Sequence, residues 1–225
     1  MMSETILELS KVKKSYTQGQ NSIEILKGID FSISKGKTAA IIGESGSGKS
    51  TLLSLIAGLD SPSSGDIKIN NHAINTMDEK SLTKFRGEHI GIIFQQFHLM
   101  PHLDALENVR LPLDILGISD PINKAKEALD LVKLGHRVSH TPKELSGGEK
   151  QRVAIARSFV VSPSLLLADE PSGSLDNTTG ETTMNILFEA VKNRGMTMVL
   201  VTHNQSLAKQ CDEVWELNQG SLHKR

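Results

Sequence analysis

The apolar run Thr38-Ala39-Ala40-Ile41-Ile42 leads directly into Gly43-Glu44-Ser45-Gly46-Ser47-Gly48-Lys49-Ser50, and Thr51-Leu52-Leu53-Ser54-Leu55-Ile56-Ala57 follows without a break. A short continuous apolar run reads as a strand buried on both faces, as in a parallel sheet covered by helices. The second apolar stretch reads as a helix, so strand, glycine loop and helix stand in the order of the pattern G-x-x-x-x-G-K-[ST]. This commits the chain to an α/β fold. Gly43, Gly46 and Gly48 allow a tight turn that brings backbone N–H groups against phosphate oxygens. The helix N-terminus adds partial positive charge. Lys49 is expected to reach the β- and γ-phosphates of a nucleoside triphosphate and the Ser50 hydroxyl to ligate Mg²⁺. Glu44, Ser45, Ser47 and Thr51 complete the phosphate-binding stretch.

A second apolar run, Leu165-Leu166-Leu167-Ala168, ends in Asp169 and Glu170. A buried parallel strand ending in acids places them at the carboxyl edge of the sheet, where α/β folds bind ligands. Asp169 is the expected Mg²⁺ partner, and Glu170 the candidate general base for a water in line with the γ-phosphate. Between the two motifs lies Leu145-Ser146-Gly147-Gly148-Glu149, ahead of a helix-spaced stretch from Lys150 to Phe159. Ser146 suits an N-cap, and glycines at a helix start expose N–H groups to an anion. One triphosphate needs one cradle, so a second is most simply explained by a nucleotide held by another copy; a plain helix cap is the alternative.

Together these strings resemble the ATP-binding subunits of ABC transporters, from about Leu7 to Gly220. The first, second and third are similar to the family's Walker A, signature and Walker B motifs. Phe94-Gln95-Gln96-Phe97-His98-Leu99-Met100-Pro101 is similar to the Q-loop, with Gln95 in the place of the glutamine that contacts Mg²⁺ and the attacking water. Ser174-Leu175-Asp176 resembles the D-loop, His203 the switch histidine, and Tyr16 the aromatic that stacks on adenine. The resemblance implies an α/β P-loop NTPase of the ABC ATPase fold, with a RecA-like mixed-sheet core, an N-terminal antiparallel β region and an inserted helical subdomain. It implies ATP hydrolysis with Mg²⁺ and a head-to-tail pair of chains, in which Ser146, Gly147 and Gly148 complete the ATP site of the opposite subunit.

Ile25-Leu26-Lys27-Gly28-Ile29, Gly58-Leu59-Asp60-Ser61-Pro62-Ser63-Ser64-Gly65 and the stretch from Met100 to Val109 are most similar to the subgroup serving lipoprotein release and macrolide export with FtsX-like permeases. The P-loop and Gln18-Gly19 also resemble YbbA-like members. The chain departs from the usual pattern at Ser172, where threonine is usual, and at Ser174, where asparagine or alanine is common. The resemblance implies an ATPase at the cytoplasmic face of the inner membrane, bound to an FtsX-like permease for export or extraction of a lipophilic or lipoprotein-type substrate. Two alternatives stay open: a mechanotransmission role of the cell-division type, and a soluble ABC ATPase in repair or translation. Repair members carry long coiled-coil insertions, and this chain shows no sustained heptads.

The 225 residues are enough for one large α/β domain. Basic and acidic residues number 25 and 26, without the basic cluster of a nucleic-acid surface, so no nucleic-acid partner is expected. Cys211 is the single cysteine, which excludes an internal disulfide. Met1 to Thr5 lack a basic region followed by an apolar core, so no signal peptide is expected. No apolar run approaches the ~18 residues that span a bilayer.

Strands are expected at Ile6–Leu9, Phe31–Ile33, Asp66–Ile69, Ile90–Phe94, Thr197–Val201 and Glu213–Leu217, with a turn at Gln18–Asn21. Helices are expected near Asn177–Lys192 and after Asn204. Between about 98 and 142 strand signals vanish: Ile122, Ala125, Leu129 and Val132 share one helical face, and Pro112 and Pro121 punctuate the segment. One domain is therefore expected over 1–225, with a catalytic core at 1–97 and 143–225 and a helical subdomain at about 98–142. Trp215 reads as packing. His72, His89, His98, His102, His136, His140 and His223 show no metal-ligand spacing and are assigned no role.

Overall fold

The computed structural model describes residues 4–19 and 21–225; Met1–Ser3 and Gln20, part of the N-terminal stretch and of the expected turn, lie outside them. The chain begins with β1 (Thr5–Gln18), β2 (Asn21–Ser34), β3 (Thr38–Ile42) and α1 (Lys49–Ile56). β4 (Ser64–Ile69), β5 (His72–Ala73), α2 (Glu79–His89) and β6 (Ile90–Ile93) follow. Next come α3 (Ala105–Ile115), α4 (Pro121–Leu131), α5 (Gly147–Phe159), β7 (Leu165–Asp169) and α6 (Asn177–Arg194). The last elements are β8 (Thr197–Val201), α7 (Gln205–Ala208), β9 (Glu213–Asn218) and β10 (Ser221–Lys224). They form two compact units, Met1–Arg86 with Gly195–Arg225, and Gly87–Arg194.

In the first unit an antiparallel sheet runs β2-β1-β4-β5. β1 and β2 are far longer than their alternating segments. Backbone pairing continues from Leu9 to Gln18 through register shifts, with Lys11 left-handed at φ 50. Such bulges break the period-two pattern while keeping the strands together. A second set of strands runs β10-β9-β3-β8, with β3 parallel to both β8 and β9. Ala39, Ala40 and Ile41 of β3 and Met198 to Val201 of β8 are fully buried, as parallel strands covered on both faces require. Trp215 packs edge-on against Phe31, ring centres 5.1 Å apart. α2 has no sequence signal because Phe85 is its one buried residue.

In the second unit β6 pairs in parallel with β7, and α3, α4 and α5 pack on one another. Val153, Ile155, Ala156 and Phe159 of α5 are fully buried. Burying each large side chain contributes roughly 1.5–3 kcal/mol, against about 0.5–2 kcal/mol for a helix cap. Packing therefore sets where α5 lies, and the cap sets where it starts. Pro112 does not punctuate the fold as expected: α3 runs through it from Ala105 to Ile115. The helix start is secured by a capping box between Asp104 and Glu107, and proline falls in the last turns, where one lost N–H bond is tolerated. Pro121 does open α4. Ala125, Leu129 and Val132 are buried, but Ile122, in the first turn, is 45% exposed. Asn108 is fully buried; its Oδ1 accepts the Met100 N–H at 2.8 Å, and its Nδ2 donates to the carbonyls of Met100, Leu103 and Asp104 at 2.9–3.2 Å. Among the described residues no helix is long and apolar enough to cross a membrane.

Candidate functional site

Each unit offers two neighbouring parallel strands whose carboxyl ends release site residues at one common offset. In the first unit Ile41 pairs with Val201, and Gly43 and His203 stand two residues beyond. In the second unit Ile93 pairs with Ala168, and Gln95 and Glu170 stand two residues beyond. Residues far apart in sequence thus emerge side by side at a strand edge, the position α/β folds use for ligands.

The loop after β3 is shaped by contact on both sides. A Cβ on Gly43 would run into the Leu217 carbonyl oxygen of β9, so only glycine lets the backbone pass there. Gly48, at φ 102, is the N-cap of α1; no side chain caps that first turn and no acidic residue stands in it. Its N–H groups and dipole therefore suit an anion from outside. The Ser47 hydroxyl is buried without a hydrogen-bond partner among the described residues. Lys49 is only 9% exposed, and its Nζ donates to the carbonyls of Gly43 at 2.9 Å and Glu44 at 2.7 Å. Two of its three donors are thus directed by the loop itself. An uncapped helix start, an orphan buried hydroxyl and an oriented ammonium fit a phosphate chain.

Tyr16, on β1, has a 45% exposed ring. Its hydroxyl donates to Asp60 Oδ2 at 2.9 Å, and Lys14 Nζ lies 2.7 Å from Asp60 Oδ1 and 4.8 Å from the ring centre. Burial pushes the Asp60 carboxyl up, but hydrogen bonds from Lys14, Tyr16 and the Ser61 N–H outweigh it and hold the group below its ordinary value. Burial, then the bond to Asp60, raises the Tyr16 phenol. The ring is fixed at its tip, carries the Lys14 ammonium over it and remains part exposed, which suits stacking on a planar ligand.

In the second unit, β7 ends at half-buried Asp169. Glu170 follows with φ 44, a left-handed backbone in a glutamate, and its carbonyl accepts the Gly173 N–H at 2.9 Å. Such a conformation costs about 1–3 kcal/mol and is typical of functional turns. The Gln95 carbonyl accepts the Ser174 hydroxyl at 3.0 Å, and a Cβ on Gly173 would stand 2.9 Å from Gln95 Nε2. The glutamine amide therefore lies against Gly173, where a side chain would displace it. Among the described residues no group of three or more His, Cys, Asp or Glu is placed to hold a metal.

α5 begins at Gly147, three residues before the helix-spaced stretch. Ser146 is its N-cap: its Oγ accepts the Glu149 N–H at 3.3 Å while Glu149 Oε2 accepts the Ser146 N–H at 2.8 Å. Arg137 Nη1 donates to His140 Nε2 at 2.9 Å, which leaves the proton of a neutral imidazole on Nδ1, buried without a partner among the described residues. Ser146 and Gly147 are exposed, whereas Gly148 is buried and a Cβ there would collide with the Thr179 side chain of α6. The first unit thus gathers Tyr16, Gly43–Thr51 and His203, and the second Gln95, Ser146–Gly148, Asp169 and Glu170. Sequence spacing does not reveal Asp60, Arg137, Arg157 or Gln151 as supports, because each works through a partner distant in the chain or through a backbone carbonyl.

A family model described as ABC transporter matches residues 26–173. An uncharacterized ABC transporter ATP-binding protein, YbbA, of Escherichia coli (strain K12) is 45% identical over 224 residues, covering 99% of this chain and 98% of its own. The lipoprotein-releasing system ATP-binding protein LolD of Hahella chejuensis (strain KCTC 2396) is 44% identical over 225 residues, covering 99% and 97%. Among solved structures, a dimeric ATP-binding cassette in a post-hydrolysis state, bound to ADP and Pi, is similar with a TM-score of 0.89 and 39% identity over 98% of each chain.

Proposed function

The chain belongs to the ABC transporter family and is an ATP-binding ATPase subunit, and from that premise we propose that two copies close head to tail around two ATP molecules to drive an FtsX-like permease. In this reading residues 1–97 and 143–225 form the catalytic core and 98–142 the helical subdomain of one ATPase domain. The observation that carries it is the presence of two helix starts suited to anions: α1, uncapped at Lys49, and α5, exposed at Ser146 and Gly147. The capping box of α5 uses the amides of Ser146 and Glu149 and leaves those of Gly147 and Gly148 outside it. They are the donors for the nucleotide of the second copy.

Adenine stacks on Tyr16, and Gly43–Thr51 hold the phosphates, with Lys49 at the β- and γ-groups. Glu170 takes a proton from the attacking water as the water oxygen bonds to the γ-phosphorus and the bridging oxygen leaves with ADP. His203 holds the γ-phosphate or the water, and Gln95 orients the water. Mg²⁺, when bound, neutralises charge on the β- and γ-oxygens. Ser50, Gln95 and Asp169 are hard oxygen donors with a single carboxylate among them, a set suited to a cation that keeps phosphate and water ligands. Gln95 to Val109 is the segment that passes closure to a permease helix, and the subunit works at the cytoplasmic face of the membrane. The likeness to a lipoprotein-releasing ATPase supports a lipophilic or lipoprotein-type substrate.

Light scattering tests the pairing. Glu170→Gln with ATP and Mg²⁺ is expected to run as a dimer. Gly147→Asp in the same background is expected to stay monomeric while still binding nucleotide, because its carboxylate faces the partner's phosphates. A monomeric Glu170→Gln protein, or an unaffected Gly147→Asp dimer, overturns the composite site.

A further inference from the structure

The segment after β6 is held almost entirely through its carbonyls. The Phe94 carbonyl accepts from Gln151 Nε2 at 3.4 Å, and the Gln95 carbonyl from the Ser174 hydroxyl at 3.0 Å. The Phe97 and His98 carbonyls accept from the two terminal nitrogens of Arg157, at 3.0 and 2.8 Å. The segment turns at His98, left-handed at φ 46, where the His98 ring stands edge-on to Phe94 with centres 5.2 Å apart. Gln151 is fully buried, and both Gln151 and Arg157 belong to the packed body of α5.

We propose that Arg157 and Ser174 are positioning residues for Gln95, the first fixing the exit of its loop and the second its own peptide. The inference rests on Gln95 acting at the metal and the attacking water. A planar guanidinium donating to two carbonyls one residue apart fixes their orientation as well as their distance. Gln95 lies between two anchors, the end of β6 at Ile93 and the turn pinned by Arg157. Its carbonyl is held by Ser174 while its carboxamide rests on Gly173. One tie comes from α5 and holds the carbonyls two and three residues past the glutamine; the other comes from the loop that follows Glu170 and holds the glutamine's own carbonyl.

The test is a double-mutant cycle on ATP turnover with Mg²⁺ varied. Ser174→Ala is expected to lower kcat about two- to tenfold, the scale of one hydrogen bond, with KM for ATP unchanged and more Mg²⁺ needed for half-maximal rate. Arg157→Gln is expected to lower kcat further and Arg157→Lys to recover part of the loss. In a Gln95→Ala background neither Ser174→Ala nor Arg157→Gln is expected to have any further effect, because the group they position is gone. Full losses in both backgrounds, or an unchanged Ser174→Ala enzyme beside an impaired Gln95→Ala enzyme, overturn the proposal. If Gln95→Ala itself keeps parental turnover and Mg²⁺ dependence, the role of Gln95 fails instead. Thermal melting identifies any Arg157 variant that does not fold; Ser174, at the surface, then decides the question alone.

Discussion

Arg137 Nε stands 3.0 Å from Glu149 Oε1, while the other oxygen of that carboxylate accepts the Ser146 N–H at 2.8 Å. The basic residue therefore secures the start of α5 through an acid that serves as cap. The Ser146 N–H is the main reason the Glu149 carboxyl lies below its ordinary value; burial opposes it and Arg137 adds to the pull. A depressed folded-state value contributes stability above the unfolded value, and that contribution is lost as pH falls through the folded one. Melting temperatures followed from pH 7 into the carboxylate range should show the parent converging on Glu149→Gln, which keeps an acceptor but does not titrate. A constant gap between the two would rule out this linkage.

Glu170→Gln should lower phosphate release by about 10²–10⁴-fold, the usual range for a lost general base. Nucleotide affinity by calorimetry should stay near that of the parent, because the loop at Lys49 is untouched. Turnover near the parental rate would remove Glu170 from the chemistry.

Lys49→Ala deletes the ammonium that Gly43 and Glu44 orient, so ATP affinity itself should fall. Asp169→Asn should leave Mg²⁺-free nucleotide binding intact and raise the Mg²⁺ concentration needed for turnover. Equal behaviour of the two variants in a titration with and without Mg²⁺ would contradict their separate roles.

Much of this arrangement is legible in the sequence wherever a local rule decides it. Thr38–Ile42 and Thr197–Val201 form strands over those residues, because buried parallel strands carry continuous apolar runs between clear breakers. The long β1–β2 hairpin is not legible, because its bulges erase alternation. α2 is hidden because it buries one phenylalanine. At the site, the residue types at strand ends and helix starts announce themselves, whereas the supports do not. Arg157 is sixty residues from Phe97 and meets only its carbonyl, an interaction open to any sequence. The left-handed turn at Glu170 is likewise set by the closing N–H of Gly173, not by any preference of glutamate.

Gly148→Ala places a methyl group against the Thr179 side chain, and overpacking of this kind costs about 1–3 kcal/mol. Thr179→Ser removes the γ-methyl that is struck and should restore most of the loss. Denaturant midpoints for the single and double variants measure the recovery; additive losses would show that Gly148 serves α5 in another way.

Burial pushes the Cys211 thiol up to about 12. At pH 8 it should remain protonated and react slowly with iodoacetamide in the native protein, and at the rate of a free thiol once denatured. Fast native alkylation would place it in a more open environment.

Left-handed geometry at Glu170 restricts which residues can replace it. Asparagine, aspartate, glutamine and glycine tolerate or resemble what stands there, whereas valine, isoleucine or threonine would force a β-branched side chain into a backbone that rejects it. The residues that remain open there can keep the turn closed by the Gly173 N–H, and with it the Ser174 hydroxyl on the Gln95 carbonyl, so the shape of the loop can outlast the carboxylate that stands in it.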